Sequence, residues 1–166
     1  MIEVTDAYTA RPATLDDIEP LWRLMVSINL AEAGTPGFSL AEMENWLTGE
    51  PIVLAEDVRV VEHVSGELVA AELFDLRGPF VRPLVIGGVH PDHCGKGLGS
   101  ALLDWALSRA VDSIPKAPST AKVTAGCASA ADREPGAKLL AALGLEHARA
   151  FLDRHGLFSE PPATPA

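Results

Sequence analysis

Two rhythms of apolar positions alternate along the chain. From Tyr8 to Ala13 apolar and polar residues alternate weakly, which predicts a strand. Thr14-Leu15-Asp16-Asp17 then opens a helix, with Thr14 as N-cap and Asp17 as the acidic third residue of a capping-box variant. Ile18, Leu21, Trp22, Leu24, Met25 and Ile28 supply its apolar stripe, and the run 33–37 (Ala-Gly-Thr-Pro-Gly) breaks it. Ser39 caps a second helix carrying Leu40, Met43, Trp46 and Leu47, closed by Gly49 and Pro51. Strands are expected over Asp57–Val64 and Glu67–Leu76, joined at the turn signal Ser65-Gly66. A further strand runs from Val81 to Val89, and a helix carrying Ala101, Leu102, Trp105, Ala106 and Leu107 reaches about Ser113. Thr120–Cys127 reads as a strand, Arg133–Leu143 as a helix stopped by Gly144, and Glu146–Leu152 as a strand. The expected order is therefore β-α-α-β-β-β-α-β-α-β.

The junction at residues 84–103 carries the most chemistry. An apolar run, Leu84 to Val89, is closed by Pro91 and followed by Gly95, Gly97 and Gly99, after which helical spacing begins. A strand, a glycine loop and a helix N-terminus in that order present backbone N–H groups and a positive dipole end to an anion. Glycine permits the positive φ and the close phosphate approach that a Cβ would block. A phosphate-bearing ligand follows. A Walker loop is excluded, because His90 stands where its first glycine should be and Gly97 follows Lys96 instead of Ser or Thr. A dinucleotide fingerprint is excluded as well. Its third glycine comes one residue early, at Gly99, and Ala121 to Cys127 carries no carboxylate for a ribose.

The stretch resembles the acyl-CoA loop of the GNAT-type N-acetyltransferases, strand-Val-x-Pro-x-x-Arg-Gly-x-Gly-x-Gly/Ala-x-x-Leu-Leu. Here it runs Val89, Pro91, Cys94, Gly95, Gly97, Gly99, Leu102, Leu103. Arg11-Pro12-Ala13-Thr14 with Asp17 and Ile18 resembles the family's opening, and Leu139 to Leu145 its Leu-Tyr-x-x-Leu-Gly-Phe helix end. The resemblance extends over about residues 8 to 155. It implies an α/β (α+β) GNAT-like fold, a mixed and mostly antiparallel sheet of about six to seven strands with helices on both faces, with Leu157-Phe158 able to supply a short last strand. It also implies acetyl-CoA as co-substrate. The pyrophosphate and thioester would be held by Gly88, Val89, Cys94, Gly95, Lys96, Gly97, Leu98, Gly99 and Ser100. In that family a splayed strand pair receives the pantetheine arm. Gly87-Gly88-Val89 occupies one wall and Val123 to Cys127 the other, and paired glycines in a strand independently suggest close backbone approach.

Composition sets the remaining bounds. The 166 residues suit one domain, expected at 8–158 between a leader (1–7) and a Pro-rich tail (159–166). A formal charge of −10 argues against nucleic acid, and no apolar run approaches the ~20 residues of a membrane span. The first residues lack a signal-peptide pattern, so a cytoplasmic location is expected. Cys94 and Cys127 form no disulfide framework, and no spacing suits a metal.

The expected reaction is acetyl transfer from acetyl-CoA to a primary amine of a small molecule or peptide by direct attack. Glu72 and Asp75, then His90, are the candidate proton acceptors. Two departures from the family pattern stand out. Cys94 replaces the Arg or Gln before the first loop glycine, and Leu140 replaces the Tyr that protonates the departing thiolate. The alternative is a catalytically degenerate acyl-CoA-binding or structural module, similar to the first domain of relatives that carry two in tandem. A homodimer is compatible with the resemblance.

Overall fold

A computed structural model describes residues 6–127 and 134–146. Five strands form one sheet in the order β1-β2-β3-β4-β5: β1 (Tyr8–Pro12), β2 (Val58–His63), β3 (Leu68–Asp75), β4 (Leu84–Val89) and β5 (Gly126–Cys127). The first four pair antiparallel, whereas β4 and β5 run parallel. The helices are α1 (Ile18–Ala33), α2 (Leu40–Thr48), α3 (Leu54–Asp57), α4 (Leu98–Ser113) and α5 (Glu134–Ala142).

Local signals place most of these elements. Asp17 Oδ2 accepts the backbone N–H of Thr14 at 2.7 Å and its hydroxyl at 2.9 Å, closing the turn that starts α1. The Arg11 guanidinium reaches both Asp17 oxygens at 2.8 Å and Glu62 at 3.1 Å, tying that turn to β1 and β2. This charge-assisted fork holds the largely buried Asp17 carboxyl below its ordinary range. Ser39 and Glu42 exchange capping bonds at the start of α2, at 2.8 and 3.3 Å. The β2–β3 turn closes with Gly66 at φ +85° and a His63 N–H to Glu67 O bond of 2.9 Å.

All eight residues of β3 are buried, because helices cover both sheet faces. On one face α1 and α2 pack Leu21, Leu24, Ile28, Met43 and Leu47 against Val58, Val60, Ala71 and Leu73. On the other, α4 sets Leu98 and Leu102 over Val61 and Ala70, and Leu103 and Ala106 over Phe74 and Val85. Each large side chain so buried contributes ~1.5–3 kcal/mol. Among the described residues no helix is long and apolar enough to cross a membrane.

Three expectations change. The sheet has five strands among the described residues rather than six to seven; the expected strand Glu146–Leu152 and Leu157-Phe158 fall, apart from Glu146, outside them. The strand expected over Thr120–Cys127 is confined to Gly126–Cys127, and the one expected from Val81 begins at Leu84. Both shortenings have one cause. Pro83 offers no N–H, so the segments touch only through Thr124 N–H to Val81 O (3.0 Å) and Gly126 N–H to Pro83 O (2.9 Å) before a ladder starts. The short helix α3 was carried by no capping or periodic signal.

Candidate active site

The glycine loop folds as its sequence dictates. After β4, Pro91–His93 forms a single 3-10 turn, then Gly95 and Gly97 turn the chain at φ +76° and +80° into α4. Ala101 is the first residue of α4 to bond back, donating to Gly97 O at 3.1 Å. The N–H groups of Leu98, Gly99 and Ser100 therefore have no partner within the helix. Gly97 has open space where a Cβ would stand, so the donors face a cradle free of side chains. Such a set of donors fits an anion.

A cleft of about 340 Å³ opens over this loop, within the size range of small-ligand sites. Gly87, Gly88 and Val89 of β4 line it, with Cys94, Gly95, Gly97, Leu98, Gly99 and Ser100 of the loop. Across the cleft stand Cys127 of β5 and Leu139 and Leu140 of α5, with Glu32 of α1, Glu72 of β3 and His93 completing the wall. Among the described residues β4 and β5 pair at Leu84↔Gly126 and Val85↔Cys127, and the end of β4, Gly87 to Val89, lines the cleft.

Glu72 is the unusual member. It pairs in register with Gly87, whose missing Cβ lets the β3 backbone come close, and strand alternation puts it on the α4 face between Ala70 and Phe74. Only 6% exposed, it makes no hydrogen bond or ion pair with any described residue. Burial alone pushes the carboxyl up to about 8 from an ordinary 4.5. On the facing strand, burial and then the Glu72 charge push the Cys127 thiol up to about 11. The site thus holds a protonated carboxyl and a protonated thiol at neutral pH.

This carboxyl leaves a signature in stability. Its folded value lies above its unfolded one, so the folded state binds the proton more tightly. The stabilisation is complete below pH 4.5 and is lost as pH rises through about 8. One such group contributes a slope of at most ~1.4 kcal/mol per pH unit. Glu72→Gln should flatten that slope and melt above the wild type at pH 9, as thermal unfolding across pH would record. An unchanged slope would mean that the carboxyl is solvated.

The other expected residues divide. Lys96 does not line the cleft; its Nζ lies 3.3 Å from Asp92 O and over the Tyr8 ring at 5.7 Å. Asp75 is buried elsewhere, held by Arg77 Nε at 2.9 and 3.0 Å and by Trp46 Nε1 at 3.3 Å. His90 Nδ1 accepts the Asp92 N–H at 3.3 Å and serves the turn rather than the cleft. His93 takes its place in the wall, its Nδ1 3.0 Å from the Tyr8 hydroxyl. Burial, then nearby Lys96, His63 and His90, lower its basicity below that of an ordinary imidazole. The sequence missed His93, which nothing local distinguishes from His90. Trp46 and Phe38 pack edge to face beside a second cavity of only about 30 Å³, room for a water or two. Those rings are core. Among the described residues, no group of three His, Cys, Asp or Glu side chains is placed to hold a metal.

Comparison with solved structures identifies the architecture. A GCN5-related N-acetyltransferase from Sphaerobacter thermophilus superposes with a TM-score of 0.76 at 26% identity, over 85% of this chain and 44% of that one. The chain thus spans less than half the length of that protein. An N-acetyltransferase from Staphylococcus aureus Mu50 gives 0.65 at 19% identity, over 86% and 85% of the two chains. The Salmonella typhimurium protein yncA, assigned as an acetyltransferase and solved with its cofactor acetyl-CoA, gives 0.65 at 21%, over 84% and 79%. No protein-family model matches the chain, and no curated protein is similar to it.

Proposed function

Taking as premise that this chain has the fold of the GCN5-related N-acetyltransferases, we propose that it moves an acetyl group from acetyl-CoA to a primary amine of a small molecule or peptide. The observation that carries this reading is one continuous cleft, with unpaired helix N–H groups at one end and, in its wall, a buried carboxyl that has no hydrogen-bond partner among the described residues. The N–H groups of Gly95 to Ser100 hold the pyrophosphate, with no help from a guanidinium at Cys94. Backbone N–H groups of Gly87 to Val89 face the thioester oxygen as charge develops on it. Glu72 collects the proton that the amine must lose, since a carboxyl with a value near 8 is matched to that task. The carboxylate of Glu32 in the same wall favours a cationic acceptor. Direct attack needs no covalent intermediate on the protein.

Leu140 in the cleft wall favours a second reading, a module that binds acyl-CoA without turning it over. Thermal unfolding with acetyl-CoA, CoA, ATP and NAD side by side tests the shared premise. A ligand at 100 times its dissociation constant adds ~2.7 kcal/mol, several degrees for a chain of this size. A shift with acetyl-CoA and CoA alone is expected. Equal shifts with ATP or NAD, or none at all, would overturn acyl-CoA as the ligand. Release of free thiol in the presence of an amine then separates the enzyme from the module.

A further inference from the structure

Acetyl transfer leaves a proton to be delivered as well as one to be removed. The departing sulfur needs an acid, and the residue at the family's tyrosine position is Leu140, which has no proton to give. The chain's one tyrosine, Tyr8, is buried in β1 with its hydroxyl on His93 Nδ1, at the loop end of the cleft. We propose that Glu72 is the general acid that protonates the leaving thiolate, acting from the sheet face across the cleft from Leu140.

The geometry supports this in three ways. Glu72 and Leu140 line the same cleft from opposite sides, one on β3 and the other on α5. The Glu72 side chain is more than nine-tenths buried and has no partner among the described residues. Its cross-strand neighbour Gly87 belongs to the very segment along which the thioester would lie, and with no Cβ there the backbones of β3 and β4 come close enough to set Glu72 beside that segment. The titratable groups that share the cleft are Glu32 from α1, His93 and Cys94 from the loop, and Cys127 from β5; α4 and α5 contribute none to its lining. Among the described residues no cation stands in that wall to hold Glu72 ionised. Its carboxyl, with a value near 8, keeps its proton at pH 7 until a stronger base appears beside it.

The step balances through one group. The amine nitrogen attacks the carbonyl carbon, forming the C–N bond and an oxyanion. The oxyanion collapses, the C–S bond breaks, and the sulfur takes its electron pair and the Glu72 proton. The resulting carboxylate then removes the surplus proton from nitrogen and is restored. One carboxyl thereby serves both proton steps, and no second acid is required.

This inference rests on the acetyl-transfer reading, and the test separates the two. Hydroxylamine is the acceptor, because it is unprotonated at neutral pH and needs no base before attack. Two donors are compared in wild type and Glu72→Gln: acetyl-CoA, and the acetyl thioester of 4-nitrothiophenol, whose thiolate leaves without a proton. With acetyl-CoA, kcat/KM should fall at least ~100-fold in the variant, the usual range for general acid catalysis. With the nitrothiophenyl donor the same variant should lose at least ~10-fold less, since only the proton on nitrogen then lacks its acceptor. The wild-type rate with acetyl-CoA should also decline above pH 8, and that limb should be missing in Glu72→Gln. A CoA-induced thermal shift in the variant verifies that fold and binding survive. An equal loss with both donors, or no loss with acetyl-CoA, overturns the acid role while leaving acetyl transfer in place. A wild type that binds CoA yet releases no thiol from either donor overturns the transfer reading, and this inference falls with it.

Discussion

Replacing Gly87 by alanine costs this protein ~3 kcal/mol or more, while the same change one residue later at Gly88 costs less than ~1 kcal/mol. A Cβ on Gly87 would stand 2.1 Å from the Ala71 carbonyl oxygen and 2.7 Å from the Glu72 Cα, both backbone atoms of β3. That strand cannot retreat, because all eight of its residues are buried between α1 and α2 on one face and α4 on the other. A Cβ on Gly88 would meet only the Ile28 side chain, Cδ1 at 3.3 Å and Cγ2 at 3.4 Å, contacts that a shift of a few tenths of an ångström relieves. Denaturant midpoints of the two variants at pH 7 measure the contrast. Equal costs would mean that β3 and β4 are less closely apposed than the Glu72↔Gly87 register requires. The close approach also shapes the cleft. Gly87 and Glu72 both line it, so a substitution that pushes β3 and β4 apart displaces two of its lining residues.

Where a signal is local, the sequence predicts the structure well. The caps at Thr14–Asp17 and Ser39–Glu42, the Ser65-Gly66 turn and the phase of Gly95, Gly97 and Gly99 each act within a few residues, and each forms as expected. Signals that depend on a partner are lost. Thr120 to Ala125 has strand composition but lies beside Pro83, whose missing N–H a reading of that segment alone cannot register. Asp75 looks like a free carboxylate until Arg77, two residues on, and Trp46, 29 residues back, close upon it. Lys96 sits in the middle of the glycine loop and still points to Asp92 and Tyr8, because residues flanking a turn alternate between its two sides. Glu72 was half legible. A single carboxylate in the apolar run Leu68–Phe74 signals burial, but not that the opposite strand would present a glycine to it.

Replacing Gly97 by valine should weaken acetyl-CoA binding at least ~100-fold and leave the chain folded. Gly97 is the N-cap of α4, at φ +80° and ψ −3°, and a Cβ there would touch nothing within 4 Å. The folding cost is therefore backbone strain alone, ~1–3 kcal/mol for a β-branched residue in the left-handed region. The binding cost is separate. Valine's methyl groups would stand in the cradle, between an incoming phosphate and the N–H groups of Leu98 and Gly99. Two charge-assisted hydrogen bonds at ~1.5–3 kcal/mol each are then forfeited, which makes ~100-fold a lower bound. Gly66→Val supplies the matched control. Gly66 has φ +85° and the same open surroundings, but lies in the β2–β3 turn and outside the cleft lining. The two variants should lose similar stability without ligand, and only Gly66→Val should regain the acetyl-CoA-dependent rise in melting temperature. If Gly97→Val regains it equally, the pyrophosphate is held elsewhere, and the glycine loop is a strand–helix connection with no ligand to explain it. If Gly97→Val alone loses the response, the strain common to both variants cannot be the reason, and the loop N–H groups are in contact with the ligand.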